Sequence, residues 1–291
     1  MVAKHEIVFA GHRLFPFETR YGVPDFSFFC REHDLVPWIA VSVYVVALYA
    51  GLRLMENRKP FSLKGPLILW NMLLASFSVI GFVRMQQEFR YTYHKDGWRG
   101  TYCSKSSDNV VGFWIFVFVM SKFLEFGDTL FLVLRKKPVI FLHWYHHVTV
   151  LLFSYFTAID WSANGRWFVT MNYFVHSLMY GYYALQAAGV KVPRVVAMPL
   201  TVMQIVQMFL GMYVITMSGM EDLVGNTSSC LNSRRTLVSG FLMYASYLVL
   251  FVNFFLKNYV FSKKSQQHQV RKSEANGVTS NGTSGKGVKD H

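Results

Sequence analysis

Charge is scarce in this chain. Asp, Glu, Lys and Arg make up 15% of its 291 residues, against about a quarter in an ordinary soluble domain. Carboxylates are scarcer still, with 16 Asp and Glu against 29 Lys and Arg. Cysteine is almost missing: Cys30, Cys103 and Cys230 are the only three, and none falls within a long apolar run. That excludes a thiolate nucleophile inside a membrane, the usual device of acyl-condensing enzymes. No internal repeat is visible, which removes a hallmark of many transporters.

Apolar residues fill the space that charge leaves. They amount to 53% of the chain, with 17% aromatic, and they come in seven blocks: 35–54, 66–83, 110–134, 138–159, 167–188, 195–217 and 237–261. Each approaches or exceeds the roughly 17 to 25 residues of a bilayer-spanning helix. A soluble protein would have to bury all seven in one core. The first block begins behind a mixed polar segment, unlike a cleaved signal peptide. The expectation is an all-α membrane protein of seven transmembrane helices over 35–261, with an N-terminal segment 1–34 and a polar, Gly/Ser-rich, basic tail 262–291.

Seven spans put the termini on opposite sides. With the C-terminus cytosolic, that side collects the Arg53–Lys64 cluster, the Arg135-Lys136-Lys137 run, Lys191, Arg194 and the tail, and so nearly all of the net charge of +13. The positive-inside rule favours that orientation, with the N-terminus lumenal. All three cysteines then lie on the lumenal side. A Cys103–Cys230 bridge would tie the loop after the second span to the loop before the seventh; three unpaired thiols are the alternative. Asn226-Thr227-Ser228 is a glycosylation sequon on the same side.

Four spans carry polar residues at helical spacing. Lys122, Glu125, Asp128 and Thr129 follow an i, i+3, i+6, i+7 pattern, and Lys122 can pair with Glu125. His143, His146 and His147 share one turn. Asn172, His176, Tyr180 and Tyr183 form a stripe, and Thr201, Gln204 and Gln207 stand three apart. One buried polar residue in a span is ordinarily an interhelical hydrogen bond. Four consecutive spans of them require a shared polar interior.

Three chemistries fit such an interior. His143, His147 and His176 could ligate a metal, as in histidine-box oxidoreductases, although two metals need about eight histidines and only four lie in the spans. The stripes could line a transport path or proton relay. Imidazole could itself be the nucleophile for acyl transfer, since its nitrogen is nucleophilic near neutral pH.

The four motifs occur in order: Lys122-x-x-Glu125-Phe-Gly-Asp128-Thr129, His143-Trp-Tyr-His146-His147, Asn172-x-x-x-His176-x-x-Met179-Tyr180, and Thr201-x-x-Gln204-x-x-Gln207. Together they resemble the signature of the ELO-type very-long-chain fatty acid elongases, and no position within them departs from it. The resemblance implies an endoplasmic-reticulum enzyme whose seven helices include six around a narrow acyl-chain tunnel. It implies condensation of acyl-CoA with malonyl-CoA to 3-ketoacyl-CoA, CO2 and CoA, with no bound cofactor or metal. It implies His146 as nucleophile and His176 acting on the malonyl-derived unit. His143 and His147 would then polarise, supported by Lys122, Glu125, Asp128, Asn172, Tyr180, Gln204 and Gln207. Trp144 and Tyr145 resemble the branch acting on saturated and monounsaturated chains. The family also implies the Cys103–Cys230 bridge, the three other enzymes of the elongation cycle as partners, and room for a homo-oligomer.

Overall fold

The computed structural model of the chain describes residues 8–9, 12–13, 15–18, 23–106, 109–224 and 230–261; Asn226 and the tail 262–291 lie outside them. Apart from a two-residue strand pair, Val8–Phe9 against His12–Arg13, the regular elements are helical. They are α1 (Val23–Glu32), α2 (Val36–Met55), α3 (Lys64–Cys103), α4 (Asn109–Leu124), α5 (Phe126–Leu134), α6 (Phe141–Asp160), α7 (Gly165–Ala188), α8 (Arg194–Val224) and α9 (Arg234–Phe255). A wider π turn, Leu256–Phe261, ends the described chain.

Five stretches among the described residues are long and apolar enough to cross a membrane: Val36–Met55, Lys64–Cys103, Val110–Leu134, Val195–Glu221 and Arg234–Phe261. The other two expected spans, α6 and α7, have 20 and 24 residues, about 30 and 36 Å, so their length suffices. Their apolarity falls short because they carry the histidines, Asn172 and the tyrosines. The residues that form the site are the ones that weaken the membrane signal.

The second span departs from the sequence-based expectation. The second apolar block ends at 83 with a loop expected after it, yet α3 runs on to Cys103, interrupted only at Gly97, whose φ of 69° a glycine tolerates. Two charges in the first half of this extension, Arg84 and Glu88, are buried and paired. Arg84 donates to both oxygens of Glu18, at 2.7 and 2.5 Å, and Trp114 Nε1 donates to the same carboxylate at 2.8 Å. Glu88, one turn on, accepts two hydrogen bonds from Arg166 of α7 at 2.6 Å each and a third from Thr92 at 2.9 Å. Positions 84, 88 and 92 share a helix face. Paired on that face, Arg84 and Glu88 are tolerated inside the bundle, where either alone would be a costly buried charge.

Helices α3, α7, α8, α9, α6 and α4 each pack against the next, and α4 returns to α3, so six helices form a closed ring. α2 packs outside it, on α5 and α6. Glycine sets the closest approach of α3 to α7: a Cβ at Gly81 would sit 2.5 Å from the Tyr173 ring. One end of the ring is stitched by the Cys103–Cys230 disulfide, with Leu231 N donating to Cys103 O at 3.1 Å and Asn232 Nδ2 to Tyr102 O at 2.9 Å. Cys30 is free and buried. The opposite end carries Arg135, Lys136 and Lys137, and Lys136 Nζ caps the carbonyls of Glu56 and Arg58 at 3.0 and 3.1 Å.

Candidate active site

The histidine box opens α6. Pro138 and the extended Ile140 start the helix at Phe141, which places His143 in the first turn and His146 and His147 one turn on. Spacing by three and four brings the rings together: the His143 and His147 centroids are 4.5 Å apart, and those of His146 and His147 are 5.5 Å apart. His146 also lies 5.1 Å from the ring of Tyr247 on α9. The Tyr247 hydroxyl donates to the His146 carbonyl at 3.2 Å and bonds Thr149 Oγ1 at 2.6 Å. His143 Nε2 lies 2.8 Å from Thr129 Oγ1.

Behind the box stands a buried ion pair. Lys122 Nζ donates to Glu125 Oε1 at 2.6 Å and to Asn172 Oδ1 at 2.9 Å, and it sits 4.2 Å over the Phe118 ring. Lys122 and Glu125 are each 2% exposed, so each charge needs the other. Nδ1 of His176 is 3.7 Å from the same Glu125 oxygen. The second Glu125 oxygen, Oε2, and His147 Nδ1 are buried with no hydrogen-bond partner among the described residues.

Lys122, Glu125, Asp128 and Thr129 divide their partners among the neighbouring helices. The helix breaks at Glu125, between α4 and α5. Lys122 and Glu125 meet Asn172 and His176 of α7, and Asp128 meets the same helix one turn on, at Tyr180. Asp128 accepts from Trp70 Nε1 at 2.6 Å and Tyr180 OH at 2.8 Å, while Thr129 turns to His143. The glutamine motif divides too: Gln204 lines the larger cavity, with Nε2 on Met179 Sδ at 3.4 Å, whereas Gln207 lines the smaller one.

Two cavities meet at His146. The larger, about 640 Å³, runs from Arg135 and Lys137 past Tyr182, Gln186 and Thr201 to His143, His147, His176, Glu125 and Asp128. The smaller, about 60 Å³, begins at His146, Asn172 and Gln207, and continues between Val150, Phe153, Phe168, Met208 and Tyr244 to Trp161 and Ser162. At its far end Trp161 Nε1 donates to Ser106 O at 2.9 Å, and Ser162 Oγ donates to Asn232 Oδ1 at 2.6 Å. Phe118 of α4 and Met208 of α8 line it; Phe116, in the same Phe-rich run, instead packs on Phe26. Among the described residues, no three His, Cys, Asp or Glu side chains converge to hold a metal ion.

Tyr44, Trp70 and Tyr247 touch the site without belonging to any motif. The only hint of them in the sequence is a ring with a polar tip inside an apolar run, which buries well only beside a partner.

A charged, histidine-lined cavity joined to a narrow apolar pocket inside a multi-pass helical bundle is the mark of a membrane protein that handles an amphiphile. The chain belongs to the ELO: GNS1/SUR4 family, whose pattern matches residues 29–267. It is 44% identical over 221 residues to very long chain fatty acid elongase 6 of Drosophila melanogaster, covering 75% of this chain and 70% of that one. It is 40% identical to the mouse elongase of the same name, over 84% of this chain and 92% of that one. Putative fatty acid elongase 3 of Caenorhabditis elegans is 39% identical over 89% of this chain and 81% of its own length. The protein is a multi-pass membrane protein of fatty acid elongation.

Proposed function

We propose that the protein is the condensing enzyme of elongation, joining a long-chain acyl-CoA to malonyl-CoA in the endoplasmic-reticulum membrane. One observation carries the reading: His146 is the residue common to a polar cavity and an apolar pocket. A thioester at His146 would leave its anionic CoA in the larger cavity near Arg135 and Lys137, where electrostatic attraction favours it, and its acyl chain in the smaller. All seven long helices then span the bilayer, the polar residues of α6 and α7 lining the cavities rather than lipid, with the basic end cytosolic and the disulfide end lumenal.

The imidazole nitrogen of His146 attacks the thioester carbonyl and CoA leaves, carrying the proton that the imidazole gives up. The acyl-imidazole is protected from water by the apolar pocket. Malonyl-CoA takes the vacated cavity and loses CO2, and the resulting carbanion attacks the acyl carbonyl. His146 departs and takes up a proton from water to become neutral imidazole again, and 3-ketoacyl-CoA leaves. His176, backed by Glu125, faces the malonyl-derived unit. The oxyanion needs a fixed donor, and Asn172 suits that role. An ammonium can only donate, so Lys122 pins Asn172 Oδ1 and turns its NH2 group away, in the wall of the pocket that His146 shares. No bound cofactor enters the scheme. The product requires a ketone reductase, a dehydratase and an enoyl reductase to follow.

The pocket also suggests the substrate. Along α6, fifteen residues separate His146 from Trp161, about 22 Å at 1.5 Å per residue. A zigzag chain with bonds of about 1.5 Å advances about 1.25 Å per carbon, so roughly 17 carbons fit. The present volume is less than such a chain fills, so Phe153 and Phe168 turn aside as it enters. Intact mass after incubation with palmitoyl-CoA tests the scheme. A palmitoyl adduct on the wild type, absent from His146→Ala and discharged by malonyl-CoA, is the expected result. Malonyl-dependent elongation with no adduct under any quench would overturn the covalent step.

A further inference from the structure

We propose that Tyr44 and Thr129 hold His143 in one neutral tautomer, with its proton on Nδ1, and so make it a standing hydrogen-bond donor to the CoA thioester. The role at the thioester rests on the condensing-enzyme reading above; the tautomer does not.

Tyr44 belongs to α2, the helix outside the ring. It is 6% exposed, its ring stacks on Phe126 with centroids 4.1 Å apart, and its hydroxyl lies 2.8 Å from Thr129 Oγ1. Thr129, 3% exposed, lies in turn 2.8 Å from His143 Nε2. Among the described residues neither hydroxyl has another hydrogen-bond partner. Two hydroxyl protons and one imidazole proton must therefore be arranged along a single line of three groups.

One arrangement uses them all. Tyr44 donates to Thr129, Thr129 donates to His143 Nε2, and the imidazole proton sits on Nδ1. If Nε2 carried the proton instead, His143 would donate to Thr129. Either the Tyr44 or the Thr129 hydroxyl would then have no acceptor in a buried place, which is the costly outcome for a polar group. The hydrogen bond at one imidazole nitrogen thus decides the state of the other. His143 lines the larger cavity, and Nδ1–H is the ring donor left for an occupant there. A donor fixed before substrate arrives costs no reorganisation during reaction. The relay also gives α2 a part in the chemistry: a helix outside the ring sets the proton of a residue inside it.

The test reads the tautomer directly. Protein carrying 15N-labelled histidine is placed in lipid nanodiscs, and the His143 ring signals are assigned by their loss in His143→Gln. The wild type is expected to show a protonated Nδ1 and a hydrogen-bonded, unprotonated Nε2. Tyr44→Phe keeps the ring stack and removes the relay's first proton, so Nε2–H should become populated. Thr129→Val removes the link, and Thr129→Ser restores it. In elongation assays Tyr44→Phe should lower kcat about fivefold, the worth of one neutral hydrogen bond, with KM for malonyl-CoA within about twofold. Thr129→Val should lose about tenfold or more, and Thr129→Ser should recover most of that. Protonated Nε2 in the wild type would overturn the tautomer assignment. The expected tautomer with unchanged kcat in both Tyr44→Phe and Thr129→Val would overturn the donor role. A wild type that shows the tautomer but does not elongate would sink the condensing-enzyme reading instead.

Discussion

If the smaller pocket holds the acyl chain, closing it partway should shorten the chain the enzyme accepts. Ala158 is the place to do so. It lines the pocket, it is 4% exposed, and it lies twelve residues beyond His146 on α6, about 18 Å along the axis. A phenylalanine there leans about 4 Å toward the helix N-terminus, closing the pocket near 14 Å rather than about 22 Å. At about 1.25 Å per carbon, Ala158→Phe removes room for about six carbons. The assay offers wild type and variant an equimolar ladder of saturated acyl-CoAs, from decanoyl to stearoyl, with malonyl-CoA, and reads products by mass spectrometry. Overpacking costs about 1 to 3 kcal/mol of stability, but that loss scales all substrates alike. The ratio between lengths is therefore the measure. The optimum should move from palmitoyl toward decanoyl and lauroyl. A uniform fall in rate with the ratios unchanged would refute the assignment of this pocket to the acyl chain.

Three further outcomes follow from the buried polar groups. Arg166→Leu strands Glu88 and the carbonyls of Gly100, Thr101 and Ser104, and should cost about 3 to 5 kcal/mol. Thermal unfolding in nanodiscs should show the loss and show less of it in the Arg166→Leu/Glu88→Leu pair; an unchanged midpoint in the single variant would contradict the pairing. Reducing Cys103–Cys230, which closes 127 residues, should lower stability by at most about 5 kcal/mol, read as a fall in melting midpoint with reductant. Cys30 lies in α1, where burial pushes its thiol up to about 12, so it stays protonated at every pH below that. Thiol alkylation of the native protein at pH 8 should label nothing until it is unfolded, and rapid labelling of one thiol would show α1 to be open.

The local half of the site was written in the spacing of the residues. Three histidines within one turn, and Lys122 three residues before Glu125, meet because a helix has 3.6 residues per turn. Membrane scarcity sharpened that signal: where charge is rare, each charged residue in a span marks a partner. What stayed hidden is what one helix contributes to another. Tyr44 reaches Thr129 across 85 positions, and Trp70 reaches Asp128 across 58, and a lone aromatic in an apolar run looks the same whether it faces lipid or a carboxylate. The 84–105 segment misled for a related reason. Arg84 and Glu88 lie just past the second apolar block, and only Glu18 and Arg166, brought in from distant parts of the chain, reveal those two as a buried face. The break at Glu125 had no warning either, since "KFLEFGDT" fits one helix throughout. Across it Glu125 keeps to Lys122 and His176, while Asp128 takes Trp70 and Tyr180. Periodicity could nominate the residues of the site; it could not assign their partners, and the partners divide the chemistry among them.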